Sequence, residues 1–397
     1  MKLRSQKLWN RGFISVCLSS FFVFLTFYTL SATLPQFVSD KLNGSHQQVG
    51  WVMTAFIISA VLFRPLAGRW LDLIGRRKVL IFSLLLFIAA TISYFSVYSF
   101  LFLILLRFVH GISFGVATTA NGTIAADIIP EKRKGEGMGY FALSMNLAMA
   151  LGPFLGLVLI QHTSFTVLFA VTSLFAALAL ICGADIRLPK PAAPVAAAQA
   201  SNRHWTQFIE PGAMPIALIA MMLSFAYSGI LTFIPSYAGD LGMPSMASSF
   251  FVVYAVMIIV SRPFTGKLFD RFAEQYVIYP SLILYVLGLL LLSQAHTPLL
   301  FLASSAVIGL GFGTLYPCLQ TIAIRDSAAH RRGLATSTFL LFYDIGIGLG
   351  SVILGSIASS THEGNMYLLS AAVVAAAGLA YMSLLYVRQR KLRLAME

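Results

Sequence analysis

Apolar runs of bilayer-crossing length alternate with short polar turns along the whole chain. A helix needs roughly 17 to 25 apolar residues to cross the hydrocarbon. Runs of that length lie at about 12–34, 47–68, 79–98, 100–126, 137–160, 164–184, 212–235, 247–268, 276–294, 298–324, 334–359 and 366–387. The pattern predicts an all-α integral membrane protein with twelve transmembrane helices. The first run follows Met1-Lys-Leu-Arg-Ser-Gln-Lys7 and exceeds the roughly 7–15-residue apolar core of a signal peptide, so it reads as a retained helix.

An even number of spans puts both chain ends on one side of the membrane, and the intervening loops alternate between faces. On the side of the ends fall Lys2, Arg4, Lys7 and Arg11, then Arg64, Arg69, Arg76, Arg77 and Lys78, then Lys132, Arg133 and Lys134. Arg187, Lys190, Arg203, Arg262, Lys267, Arg271, Arg325, Arg331, Arg332, Arg388, Arg390, Lys391 and Arg393 follow on the same side, making 25 of 27 basic residues. Lys41 alone sits in an opposite loop, and Arg107 lies inside a span. Basic loops face the cytoplasm, so the expected location is the cell membrane with both termini cytoplasmic.

Composition agrees. The chain is 58% apolar and only 10% charged, too little charge to cover the surface of a soluble enzyme. Its formal net charge of +13 would suggest a nucleic-acid partner in a soluble protein, but here it resolves into the one-sided loops, and no nucleic acid is expected. Cys17, Cys182 and Cys318 lie far apart inside apolar runs, with neither disulfide nor metal-ligand spacing.

The chain repeats itself at an offset of 198 residues. Arg64-Pro65-x-x-Gly68-x-x-x-Asp72 returns as Arg262-Pro263-x-x-Gly266-x-x-x-Asp270, and Gly111-x-x-Phe114-Gly115 as Gly309-x-x-Phe312-Gly313. Across 111–152 the two copies share 12 of 42 residues without a gap, including Arg133-x-Gly135 against Arg331-x-Gly333. Shared Leu and Ala follow from composition alone, whereas shared Arg, Pro and Asp point to duplication. The expected organisation is a six-helix half at 1–186, a Pro- and Ala-rich extended linker at 187–210, and a second half at 211–397.

Two six-helix halves in parallel orientation suit a secondary transporter with a site between them. Gly68-Arg-Trp-Leu-Asp72-Leu-Ile-Gly75-Arg76-Arg77-Lys78 resembles the loop that marks the major facilitator superfamily between its second and third spans. The resemblance extends over the whole chain through span number, half-repeat and linker. It implies the major facilitator fold, two pseudo-symmetric six-helix bundles, and a cytoplasmic latch that joins the halves when the transporter opens outward. By position Asp72 would cap or pair across that latch, with Arg76 reaching Asp127 at the end of span four. A loop that merely sets topology would carry the same Arg and Lys, but not the Gly and Asp spacing. The second copy keeps Gly266 and Asp270 but has Ala273-Glu274 in place of Gly75-Arg76, which predicts a weaker latch.

Arg107, His110 and Asp344 sit well inside spans, away from the basic span ends. A charge at mid-bilayer costs roughly 2.5–3.5 kcal/mol on insertion scales, so Arg107 should face a partner or a polar cavity. Leu103-x-x-x-Arg107-x-x-His110-Gly111 resembles the span-four motif of the family, whose Arg is linked to proton coupling, with His110 where Gln is usual. Residues i and i+3 share a helix face, so His110 should look where Arg107 looks, and imidazole titrates near physiological pH. A hydrogen-bond hub and a satisfied core histidine would read the same way. Asp344, in Tyr343-Asp344-Ile-Gly346-Ile-Gly348-Leu-Gly350, is the one acid deep inside a span, and its repeat mate is Asn146. A carboxyl group in apolar surroundings favours its protonated form, which makes Asp344 the leading proton carrier; a buried Asp bonded to helix backbone is the plainer reading.

Gly152-Pro153-x-x-Gly156 resembles, incompletely, the span-five motif that marks antiporters of the family, which points to efflux. Span one offers Ser19, Ser20, Thr26, Tyr28, Thr29 and Ser31 but no carboxylate to select cations. Tyr316, Tyr227, Phe22 and Asn146 are candidate cavity residues. The glycine series at 309–313 and 346–350 suit helix packing rather than a phosphate loop. An intramembrane enzyme would need paired acids, a Ser/His pair or a metal cluster in the membrane, and this chain offers one deep acid. The expectation is therefore a transporter and not an enzyme, a monomer of the drug:proton antiporter-like branch that exports small apolar or amphipathic compounds. Its partners are a small-molecule substrate, protons and the lipid bilayer, and it uses a proton gradient without cofactor. Proton-coupled uptake of a nutrient or anion, with Arg107 as clamp, is the alternative.

Overall fold

The computed structural model describes residues 8–43, 46–186, 204–243, 246–328, 331–360 and 363–394. Linker residues 187–203, including Arg187, Lys190 and Arg203, lie outside the described residues, as do Lys2, Arg4, Lys7 and the Gly44-Ser45 pair. The helices run in order as α1 (Arg11–Leu42), α2 (His46–Leu73), α3 (Arg76–Ile92), α4 (Phe100–Ile128), α5 (Lys134–His162) and α6 (Phe165–Asp185). After the linker come α7 (Met214–Asp240), α8 (Met246–Arg271), α9 (Gln275–Ser293), α10 (Pro298–Arg325), α11 (Arg332–Ser360) and α12 (Glu363–Leu394). Among the described residues, eleven helices are long and apolar enough to cross a membrane; Ser249–Ser261 and Phe264–Arg271 of α8, bent by 42°, complete twelve if counted as one span.

Backbone groups in a bilayer must find partners within the protein, and the helix starts show how. Asn10 accepts from the Phe13 amide at 2.9 Å, Ser99 from Phe102 at 3.2 Å and Thr297 from Leu300 at 3.3 Å. Ser99 and Thr297 are repeat mates, so the duplicated helix keeps its cap. Buried hydroxyls are absorbed the same way: Thr33 donates to Thr29 O, Thr91 to Phe87 O and Thr321 to Pro317 O. Helices overrun the apolar windows at their basic ends. Arg69 and Arg271 therefore lie in α2 and α8, and Arg64, Arg262 and Lys267, which stand inside the windows 47–68 and 247–268, are likewise in helices rather than in loops. Arg64 is only 3% exposed and donates to Thr118 and Thr119 of α4 at 3.0 and 3.2 Å, so it cements a helix pair instead of marking a face.

The chain divides into two compact units, Met1–Glu210 with Ser327–Thr338, and Pro211–Asp326 with Phe339–Glu397. The opening turns of α11 thus belong to the first unit and its remainder to the second. Within the first unit α1 packs on α5 and α6, α2 on α4, and α3 on α4 and α6. In the second α7 packs on α12, α8 on α10, and α9 on α10 and α12.

The repeat reappears at atomic detail. A Cβ on Gly111 would collide with Phe56 O and Ser59 Oγ of α2, and one on Gly309 would lie 2.9 Å from Tyr254 O of α8. Gly115 lies against Ala60 as Gly313 does against Ile258. All four contacts are related by the 198-residue offset. Close approach of backbones, which only small residues permit, is what the repeated glycines supply.

Candidate functional site

A charged cluster gathers at the end of the first unit where α2, α4 and α6 finish and α3 and α5 begin. Gly75, at φ 104°, turns the chain between α2 and α3 in a conformation that suits glycine. Asp72 and Arg76 flank that turn. The Asp72 carboxylate accepts from the amides of Gly333 and Leu334, both at 3.1 Å, and so caps the start of α11. A carboxylate at a helix N-terminus also gains from the helix dipole, by about 0.3–1 kcal/mol. Gly68 makes the approach possible, since a Cβ there would lie 2.6 Å from Ser337 Cβ.

Arg76 forms an ion pair with Asp127 and lies 3.7 Å from Asp72. Arg332 bridges Asp127 at 3.3 Å and Glu131 at 3.1 Å. The structure therefore brings Gly68, Asp72, Gly75, Arg76 and Asp127 together, and adds Arg332, which sequence reasoning counted only as a loop charge, and Glu131, which it did not single out. The Arg133–Glu136 pair at 2.7 Å closes the start of α5 nearby.

The last linker residues are held to this cluster, while the Pro- and Ala-rich stretch expected to be extended lies outside the described residues. His204–Gln207 forms a 3-10 turn, Arg331 pairs with Glu210 and donates to Thr206 O at 2.6 Å, and the Glu210 amide donates to Thr338 at 2.9 Å. The Arg69 guanidinium lies over the Phe208 ring at 5.3 Å.

In the second unit Gly266 is buried and Asp270 half-buried near the end of α8. One turn further, Glu274 accepts from Arg325 at 2.5 Å and from the Tyr381 hydroxyl at 3.1 Å. Glu274 is the repeat mate of Arg76, and Arg325 of Asp127. The first unit's ion pair is thus present in the second with its charges exchanged, where the sequence suggested only a missing Arg. Reading position 127 against 325 in the same register would have found it.

Arg107 and His110 are fully enclosed, each 0% exposed. Arg107 donates to Val52 O at 3.3 Å, stands over the Phe56 ring at 4.1 Å and reaches the Tyr94 hydroxyl at 3.5 Å. His110 Nδ1 meets the same hydroxyl at 3.1 Å, and Phe56 and Phe87 flank its ring. The two residues share a partner, as their spacing predicts, but that partner is the interior of the α2, α3 and α4 group rather than an open cavity. Tyr94 was not singled out by sequence; an aromatic with a hydroxyl near a buried Arg is the only signal it carries.

Asp344 is half-buried in α11. The preceding Tyr343 accepts at its carbonyl from Ser224 of α7 at 2.9 Å, and its ring stands 5.0 Å from that of Tyr316. Tyr316 also meets Phe339 at 5.7 Å, so an aromatic group flanks the Asp344 segment. Tyr227 instead stacks on Phe312 at 4.4 Å and is 4% exposed, and Phe22 pairs with Phe175 of α6 at 6.2 Å; both serve packing within a unit. Asn146 is 8% exposed in α5. In the antiporter-type segment, Gly152 lies against Tyr28 and accepts at its carbonyl from Thr29 at 3.2 Å, while Gly156 lies against Thr33 and Thr29. Those glycines let α5 close on α1.

A duplicated, multi-pass helical membrane protein with a charged clasp in each unit is built as a secondary transporter. The sequence profile of the Major Facilitator Superfamily matches residues 16–351 and again 277–394, and the chain belongs to that family. It is 27% identical over 389 residues to an uncharacterized MFS-type transporter of Burkholderia pseudomallei, covering 96% of this chain and 93% of that one. It is 24% identical over 340 residues to another of Methanocaldococcus jannaschii, covering 84% and 88%. The fold is similar to the crystal structure of the human organic anion transporter MFSD10 (TM-score 0.78, 16% identity, 93% and 98% covered). It is also similar to that of the transporter FucP in the outward conformation (TM-score 0.72, 15% identity, 93% and 97% covered).

Proposed function

We propose that the protein is a proton-coupled exporter of small apolar or amphipathic compounds in the cell membrane. Both termini are cytoplasmic, and transport proceeds by alternating access. The observation that carries the proposal is Asp344, an acid inside α11 whose repeat mate is the neutral Asn146, with the Tyr343, Tyr316 and Phe339 rings beside its segment. An acid in one half alone gives the substrate path a single proton carrier, and the rings favour an apolar guest. The absence of an acidic residue from the membrane-crossing part of α1, residues 12–34, argues against strict selection of cations. Release of Asp72 from α11 is the step that opens the cytoplasmic side. The enclosed setting of Arg107 supports a positioning role and weakens the uptake reading, in which it would clamp substrate.

The test is transport in proteoliposomes with an imposed proton gradient, on compounds chosen by comparing a deletion strain with an overexpressing one. Efflux against the substrate gradient, lost in Asp344→Asn with the fold intact, is the expected result. Proton-driven accumulation, or coupling retained in Asp344→Asn, overturns the direction or the carrier respectively.

A further inference from the structure

At the end of the first unit opposite Arg11 and Asp185, α1, α6 and the stretch 94–98 that follows α3 leave a cavity of about 340 Å³ between Phe37, Lys41, Tyr94, Tyr98, Phe165 and Phe169. The walls form a continuous aromatic surface: Phe37 lies 5.1 Å from Phe165 and 5.3 Å from Phe169, and Tyr94 lies 5.5 Å from Phe169. The Tyr94 hydroxyl is turned to His110, so its ring faces serve as wall and its polar end is committed elsewhere. Lys41 is the single basic residue that the loop alternation leaves on this side of the chain, and it lines the cavity. The neighbouring Asp40 is bonded to Gln36 at 3.1 Å and is not part of the lining.

From this geometry we infer that the cavity is a binding site for an aromatic monocarboxylate, with the ring against the aromatic wall and the carboxylate on the Lys41 ammonium. Aromatic faces and one ammonium match a flat apolar body with one negative charge. The volume is at the small end of ligand cavities, roughly 300–1,000 Å³, and is too small for the two acyl chains of a phospholipid. The site is built wholly from the first unit. It goes beyond the proposed export function and does not need Asp344.

The probe is radiolabelled 1-naphthoate with the full-length protein in nanodiscs of a zwitterionic lipid, with 1-naphthalenemethanol as the uncharged analogue. Saturable binding of one 1-naphthoate per chain is expected, weakened about tenfold in Lys41→Gln and lost in Thr166→Trp, which fills the cavity from its exposed rim. The analogue should bind the parent and Lys41→Gln alike, and Asp344→Asn should keep 1-naphthoate binding. No saturable binding by the parent protein overturns the inference, as does binding indifferent to both cavity substitutions. Loss in Asp344→Asn with retention in Lys41→Gln places the probe elsewhere and overturns it too, whereas failure of proton-driven export alone leaves it standing.

Discussion

Glu274 and Arg325 form in the second unit the ion pair that Arg76 and Asp127 form in the first, at equivalent positions and with opposite polarity. What the duplication preserved is a clasp between the turn after one helix and the end of another, not the residue types. Glu274→Arg should lower stability by about 1 kcal/mol, since Arg325 is half exposed and such pairs are worth little more. Adding Arg325→Glu should restore it. Thermal unfolding of the four proteins of this double-mutant cycle in detergent measures the coupling, and additive losses would deny the clasp.

The capping of α11 by Asp72 has its own consequence. Asp72→Ala removes both acceptors of the Gly333 and Leu334 amides, and lost caps cost about 0.5–2 kcal/mol. Ser337 lies buried against Gly68, so a Ser337→Cys reporter should react slowly with a membrane-permeant maleimide. Added Asp72→Ala should speed that labelling at least severalfold. Unchanged labelling would mean that α11 stays seated without its cap.

Two glycines inside membrane helices should differ sharply. Gly111→Ala drives a methyl into Phe56 O and should destabilise by about 1–3 kcal/mol. Gly348→Ala meets nothing within 4 Å and should be neutral or gain up to about 1 kcal/mol from helix propensity. Melting temperatures in one detergent decide the matter.

Tyr94→Phe leaves the ring in place but takes the shared hydroxyl from Arg107 and His110. A buried polar group left without its partner costs about 1–3 kcal/mol. The expected result is a lower melting temperature, with His110→Gln, which keeps hydrogen-bonding capacity, less affected than His110→Ala. An unchanged melting temperature in Tyr94→Phe would show that the Tyr94 bonds carry no stability.

The helices were legible in the sequence because each must cross the same thickness of hydrocarbon, and the loops because Arg and Lys cluster on one side. The latch was legible because Gly68, Asp72 and Gly75 stand in one short stretch with a family resemblance. Its partners were not: Arg332 and Glu131 come from segments some 200 residues apart in the chain, and nothing local marks which charges meet. Arg64 was misread as a loop charge although it stands inside the apolar window 47–68, because it was grouped with the basic residues of the neighbouring loop. The enclosure of His110 was equally hidden, since a helix face is readable from spacing but the helix that covers it is not. The register that revealed the duplication also contained the reversed ion pair, unnoticed because identity counts pass over complementary substitutions.

Duplicated helices carry an inherent ambiguity during assembly, because α4 and α10 present the same Gly-x-x-Phe-Gly surface. If α10 docked in the place of α4, Arg325 would meet Arg76; if α4 docked in the place of α10, Asp127 would meet Glu274. Each mismatch sets like charges together, while each correct docking sets opposite charges together. The reversed polarity therefore acts as an address on two otherwise interchangeable helices, and discriminates partners by repulsion as well as by attraction.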